Sequence, residues 1–277
     1  MRLEEVERRF SELLHRYIQK WEKIEGTLKE YEVGVGMGGS SMGLRILEDL
    51  GHITRYSTYW ECLPSKPSKA LLISYSGNTE EVLSYLGKVE HLGITAGGTL
   101  AQHPPVLKLD QGYVPRAGVV EMIPLLMLGY GEKKRLEEWM DYELEGWEEV
   151  VRYLEGAPYA IIYGLEYNHF PSYYMKASLN ENAKMPVSWA LLPEDNHNGL
   201  EGLPSHIPIV ILGTPNNKRV KKRIAFLQEE FGALHLEGTP LELAHLSLKV
   251  SLELARKKGI TPEDTPRVAR LKTYLKA

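Results

Sequence analysis

Glu181 stands among amides in Asn180-Glu181-Asn182-Ala183-Lys184. His197 lies between two asparagines in Pro193-Glu194-Asp195-Asn196-His197-Asn198, a block that continues to Glu201-Gly202. Arg116 follows a proline in Pro115-Arg116-Ala117. A carboxylate whose pKa rises toward neutrality can act as a general base, a role worth ~10²–10⁴-fold in rate. An imidazole gives and takes protons near neutral pH. A guanidinium stabilises negative charge as it develops on oxygen. Proton transfer between carbons beside a carbonyl draws on these three chemistries. Each residue also has an ordinary reading. Glu181 could be a solvated helix-end carboxylate, His197 a loop histidine bonded to backbone, Arg116 a surface ion-pair partner, and Lys272 a solvated helix residue. Spacing in the chain does not show that they converge.

Two turns could hold an anion. Gly36-Met37-Gly38-Gly39-Ser40-Ser41-Met42-Gly43 follows a strand pattern and opens a helix. Its glycines permit a sharp turn and close approach of the backbone to a ligand. No Gly-Lys-Ser/Thr follows, so it is not a nucleotide P-loop. No acidic residue ends the strand expected at 54–59, so it fits a dinucleotide fingerprint poorly. A tight turn with no ligand explains it equally well. The second turn, Ser74-Tyr75-Ser76-Gly77-Asn78-Thr79-Glu80, carries three hydroxyls around a glycine. A helix cap needs only one such group. Three hydroxyls with the helix amides could surround a phosphate without a lysine.

The elements that must position these residues alternate between strand and helix. Strands are expected at 32–36, 52–59, 70–75, 92–95 and 106–109, with helices at 41–50, 80–89 and 119–128. The last of these tolerates Pro124 by bending or starting there. The second half repeats the rhythm, with strands at 158–163, 186–191, 207–213 and 233–237. Its helices are expected at 172–180, 218–230 and 241–258, with a final helical segment at 261–276 interrupted by Pro266. Such alternation predicts two parallel-sheet α/β units packed together. Residues 1–25 place Leu3, Val6, Phe10, Leu13, Leu14, Tyr17, Trp21 and Ile24 at helical spacing, the pattern of an amphipathic helix on the core. Residues 131–155 are charged and also read as helical, through Leu136, Trp139, Met140, Leu144, Trp147 and Val151. The domain boundary is placed there, at 135/136.

Composition narrows the function classes. A formal net charge of −4 argues against a dedicated nucleic-acid binder. One cysteine, Cys62, excludes a disulfide framework and a cysteine zinc cage. The longest apolar stretch, 119–130, is broken by Glu121 and Pro124 and cannot span a membrane. The charged N-terminus lacks the apolar core of a signal peptide, which predicts a cytoplasmic protein with no membrane partner. No HxxxH or HExxH spacing occurs, so no metal or other cofactor is expected.

The second turn resembles the phosphate loop of the sugar isomerase (SIS) domain, and Gly36-Met37-Gly38-Gly39-Ser40 resembles that domain's first glycine-rich turn. With Asn180–Lys184, the 193–202 block and Thr265-Pro266-Arg267 before Leu271-Lys272, the chain resembles the archaeal-type bifunctional phosphoglucose/phosphomannose isomerases from Gly36 to Lys272. The resemblance implies two SIS-type doubly wound subdomains, 1–135 with the phosphate loop and 136–277 with the catalytic residues, flanked by helical N- and C-terminal segments. It implies that Gly38, Gly39, Ser40, Ser74, Ser76 and Thr79 hold the phosphate and the near end of the sugar. Glu181 would shuttle the C1/C2 proton and Arg116 would stabilise the enediolate oxygens. His197 and Lys272 would assist ring opening, and Thr265 would sit beside the far hydroxyls. His197 would come from the neighbouring subunit of a homodimer. Family members often carry two adjacent histidines where this chain has Asn196-His197, and a smaller residue than Ser41 after Ser40. A non-catalytic phosphosugar sensor, or an isomerase of another sugar phosphate, is the alternative. The sensor class usually attaches a basic helix-turn-helix domain, and residues 1–30 are too short and too balanced in charge for one.

Overall fold

The computed structural model describes residues 1–204 and 206–275. Five parallel strands form the first sheet: β1 (Val33–Gly36), β2 (Thr54–Tyr56), β3 (Lys69–Ile73), β4 (Glu90–Thr95) and β5 (Val106–Lys108). Their order is β2-β1-β3-β4-β5. The second sheet is also parallel and holds β6 (Ala160–Leu165), β7 (Val187–Leu192), β8 (Ile209–Leu212) and β9 (Leu234–Leu236) in the order β7-β6-β8-β9. Parallel strands covered by helices on both faces read as unbroken apolar runs. Ala70, Leu71, Leu72 and Ile73 of β3, and all four residues of β8, are accordingly buried. The α/β class and the two doubly wound sheets agree with the alternation read from the chain.

Both ends differ in detail from the expected single helices. The N-terminal stripe from Leu3 to Trp21 is buried as anticipated, but on two helices, α1 (Leu3–Arg8) and α2 (Phe10–Trp21), with the chain turning at Arg9; Ile24 lies beyond them in a short turn and is half-buried. After β1 comes α3 (Met42–Asp49), and after β3 only α4 (Glu80–Leu83). The longer helix expected at 80–89 gives way to turns over 84–88, with Gly87 at a φ of +73°. Every residue of α5 (Val119–Gly129) is buried, with Pro124 inside it. The charged stretch after it is two helices, α6 (Lys133–Trp139) and α7 (Trp147–Leu154), not one. Residues 140–146 form no regular element, and Gly146 begins α7 at φ +71°. Position 135/136 falls within α6.

Three helices of the second half matter for the site: α8 (Phe170–Glu181), α10 (Pro240–Lys257), which follows α9 (Lys218–Phe231), and α11 (Pro266–Tyr274). Pro266 starts α11 rather than interrupting it, since the first turn of a helix needs no N–H from its leading residues. The expected end of that segment at Lys276 lies outside the described residues. Asp49, the last residue of α3, accepts the backbone N–H groups of His169 and Phe170, each at 2.9 Å. It also pairs with the His169 ring, whose other nitrogen is 3.3 Å from Glu48. Burial opposes a charge on His169, but the two carboxylates outweigh it and its pKa is raised. A helix of the first unit thereby caps the first turn of α8. The twelve residues of α8 then carry the chain about 18 Å to Glu181.

Candidate active site

Strands β2 and β3 depart from β1 on opposite sides, so the crevice beyond β1 and β3 is the switch point at which open α/β sheets bind ligands. The two turns singled out above leave the ends of those strands. Gly38–Ser41 forms a tight helical turn, and Gly39 lies flat against the chain carrying Arg116. A Cβ added at Gly39 would fall 2.6 Å from the Pro115 carbonyl carbon and 2.7 Å from the Arg116 nitrogen. Only glycine permits that approach.

The Ser40 hydroxyl oxygen accepts the Tyr75 N–H at 2.9 Å and ties the first turn to the second. Ser74 and Thr79 hydroxyls lie 2.8 Å apart, and no side chain caps α4. Thr79 is therefore not spent as an ordinary cap. Gly77 closes the second turn at φ +68°, where a side chain would collide with the Gly97 carbonyl. Ser40 and Ser74 are buried, Thr79 is half-buried, and Gly38 and Ser76 are exposed.

Arg116 joins the two halves. It is only 6% exposed. Its Nε donates to Asn182 Oδ1 at 2.7 Å, Nη1 to Glu181 Oε2 at 3.1 Å, and Nη2 to the Pro262 carbonyl at 2.7 Å. Glu181 Oε1 has no hydrogen-bond partner among the described residues, and about a third of that side chain is exposed. Beside it opens a cleft of about 630 Å³, lined by Glu181, Lys184, Asp264, Thr265 and Arg267 among others. The structure therefore brings together Gly39, Arg116, Glu181 and Thr265, with Ser40 and Tyr75 linking the two turns. A second concavity, at the far ends of α3 and α8, contains none of the expected site residues.

Gly38, Ser40, Ser74, Ser76 and Thr79 do not line this cleft, and two further expected residues stand apart from it within one chain. His197 ends a short turn after β7 and is exposed. The C-terminal end of α8 leads into the start of β7, whereas His197 follows its end. The six residues of β7 put on the order of 20 Å between them. Lys272 is exposed on α11, one turn beyond the cleft-lining Val268. Among the described residues no group of three or more His, Cys, Asp or Glu side chains is arranged to hold a metal ion. No helix among them is long and apolar enough to cross a membrane.

Residue types and spacing alone do not select Asn182, Lys184 and Arg267. Lys184 is the one non-glycine among the described residues with a positive φ, +51°. Such a backbone is costly outside glycine and recurs at functional sites. It folds the chain back after α8, so that Met185 N–H reaches the Leu179 carbonyl. The Lys184 ammonium donates to the backbone carbonyls of Glu181 and Pro262. Burial, then the nearby Arg116 charge, lowers its pKa. A lysine three residues after a carboxylate reads in sequence as an ordinary helix pair, and only its backbone conformation marks it.

The family model for the bacterial phospho-glucose isomerase C-terminal SIS domain matches residues 147–275. The chain is 27% identical to the bifunctional phosphoglucose/phosphomannose isomerase of Pyrobaculum calidifontis, over 94% of this chain and 93% of that one. It is 29% identical to the D-glucosamine-6-phosphate 4-epimerase of Sulfolobus acidocaldarius, over 64% of this chain and 66% of that one. Its fold matches glucosamine-6-phosphate deaminase from Thermotoga maritima with a TM-score of 0.64 at 17% identity, covering 92% and 96% of the two chains.

Proposed function

We propose that this chain is a SIS-domain sugar isomerase that interconverts fructose 6-phosphate with glucose 6-phosphate and mannose 6-phosphate, a reading supported by its similarity along most of its length to the bifunctional phosphoglucose/phosphomannose isomerases. The observation that carries this reading is the bond from buried Arg116 to Glu181, a residue that lines the cleft, with the glycine turn packed against Arg116. The phosphate would bind to the 38–40 and 74–79 turns. Glu181 would take the proton from one carbon through its free Oε1 and return it to the other. Arg116 would offset the charge on the enediolate oxygens. Glucose and mannose 6-phosphates differ only at C2, and both lose that distinction in one enediolate. A pocket that allows rotation about C2–C3, with Thr265 beside the far hydroxyls, would let the same base serve both faces.

Ring opening needs a further proton donor, and His197 of the same chain lies across the length of β7 from Glu181. A homodimer in which each copy supplies His197 to the other resolves this. The surface of α11 supports such a partner. Val268, Leu271 and Leu275 form an exposed apolar stripe at helical spacing beside the cleft, on the helix that carries Lys272. Covering that stripe with a second copy would also bring Lys272 toward the site.

Purified protein incubated with fructose 6-phosphate in EDTA is expected to yield both aldose phosphates. Formation of glucose 6-phosphate alone would remove the dual activity. If neither forms while glucosamine 6-phosphate is turned over, the chemistry lies with a different sugar phosphate. A non-catalytic sensor would bind fructose 6-phosphate, raising Tm, without turnover.

Gly39→Ala gives a sharper test of the arrangement. The methyl group must displace the Pro115–Arg116 backbone, and a shift of that kind in a positioned catalytic group costs on the order of 100-fold. The drop is expected in kcat/KM, measured with fructose 6-phosphate on protein shown by circular dichroism to be folded. An unchanged kcat/KM would detach the glycine turn from the placement of Arg116.

A further inference from the structure

Resting on the isomerase reading above, we propose that Asn182 and Ser251 form a buried relay that holds the Arg116 guanidinium against the oxygens of the reacting sugar, so that Asn182 is a positioning residue for the reaction. Asn182 has no solvent exposure. Its Oδ1 accepts from Arg116 Nε at 2.7 Å, and its Nδ2 donates to Ser251 Oγ at 2.9 Å. The orientation of this amide is dictated by chemistry. Ser251 has one hydroxyl proton, and it is given to the Leu248 carbonyl at 2.8 Å. Ser251 can therefore only accept from Asn182, which turns the NH₂ toward Ser251 and the oxygen toward Arg116. The hydrogen bonds on α10 thereby fix which end of the amide faces the site.

The acceptors around Arg116 divide into two kinds. Nε and Nη2 are held by neutral oxygens, the Asn182 amide and the Pro262 carbonyl. Among the described residues only Nη1 meets a charged group, and that group is Glu181. When Glu181 takes a proton its hold on Nη1 weakens, while the other two bonds keep the guanidinium in place. A neutral amide at position 182 also leaves the positive charge uncompensated from behind. That charge is then available to the enediolate oxygens rather than to a second fixed carboxylate.

Asn182→Asp is nearly isosteric and reverses both features. It removes the donor to Ser251 and places a carboxylate on Nε. Ser251→Ala leaves Asn182 and Arg116 in place and removes only the oxygen that orients the amide. The readouts are kcat and KM for fructose 6-phosphate, and the inhibition constant of a hydroxamate analogue of the enediolate. Asp still accepts from Arg116 Nε, so the expected loss comes from the fixed charge that offsets the guanidinium and from the missing donor to Ser251; a change in one charge-assisted hydrogen bond corresponds to about 10–100-fold. Asn182→Asp is expected to lower kcat by that factor and to weaken the analogue equally, with KM little changed. Ser251→Ala is expected to do the same to a smaller, few-fold extent. If KM and the inhibition constant rise together, or if Tm falls while kcat holds, the role is structural and the proposal fails. If Asn182→Asp does not fold, Ser251→Ala decides, and an unchanged kcat there overturns the relay. A wild-type protein with no isomerase activity would instead overturn the reading on which the relay rests.

Discussion

Replacing Glu181 with glutamine is expected to lower kcat on fructose 6-phosphate by ~10²–10⁴-fold, the range that a positioned general base supplies. KM should stay within a few-fold, because the proposed phosphate contacts lie on the 38–40 and 74–79 turns. Glutamine keeps the shape of the side chain, and its carbonyl oxygen can still accept from Arg116 Nη1, which Glu181 Oε2 now does at 3.1 Å. The stability cost should be small, since this carboxylate is about a third exposed and such pairs are worth little. The variant should also stop incorporating deuterium from heavy water at C1 and C2 of the sugar. That exchange requires the base to take the proton from the opened sugar, and it does not require net conversion to product. A variant that retains exchange and turnover would remove Glu181 from the reaction. One that loses turnover but keeps exchange would assign the base to another group and leave Glu181 to a different step.

Part of this site is legible in the sequence and part is not, and the difference follows from the range of the interactions. The glycine turn, the hydroxyl turn and the helix ending at Glu181 are local. Each is set by residues within about a dozen positions, and the expected and observed bounds there differ by only a residue or two. The meeting of Arg116 with Glu181 is not local. The two are 65 residues apart. They are joined because α3 and α8 pack together and Asp49 fixes where α8 begins. No periodicity in the chain encodes that docking. Asn182 is hidden for a different reason. An asparagine next to a glutamate at a helix end reads as solvated, whereas here Arg116 and Ser251 enclose it completely. The departures at 80–89 and 131–155 share one feature. Apolar spacing continues past Leu83 and Trp139, where the helices stop, and the chain then passes through positive-φ glycines, Gly87 and Gly146, before the next element.

Mixing two inactive proteins is expected to restore activity if His197 works across a subunit interface. In Glu181→Gln the base is lost but the histidine remains, and His197→Ala has the reverse defect. Alone, each homodimer lacks one required group at both of its sites. In a hybrid dimer with a two-fold axis, one site receives both defects and the other receives neither. Random exchange makes half of the dimers hybrid, so about a quarter of all sites become complete. Co-expression, or exchange under mild denaturant, should therefore raise kcat per protomer from near zero to about a quarter of the wild-type value. A histidine acting on its own chain's site predicts no recovery, because every site would keep one defect. The separation along β7 between Glu181 and His197 favours recovery. Leu271→Asp supplies the companion test, since a charge in the exposed stripe of α11 should break an interface formed there. Recovery in the mixture that disappears when both proteins also carry Leu271→Asp would assign that interface to α11. Recovery that persists would move the interface to another face and leave the shared site intact.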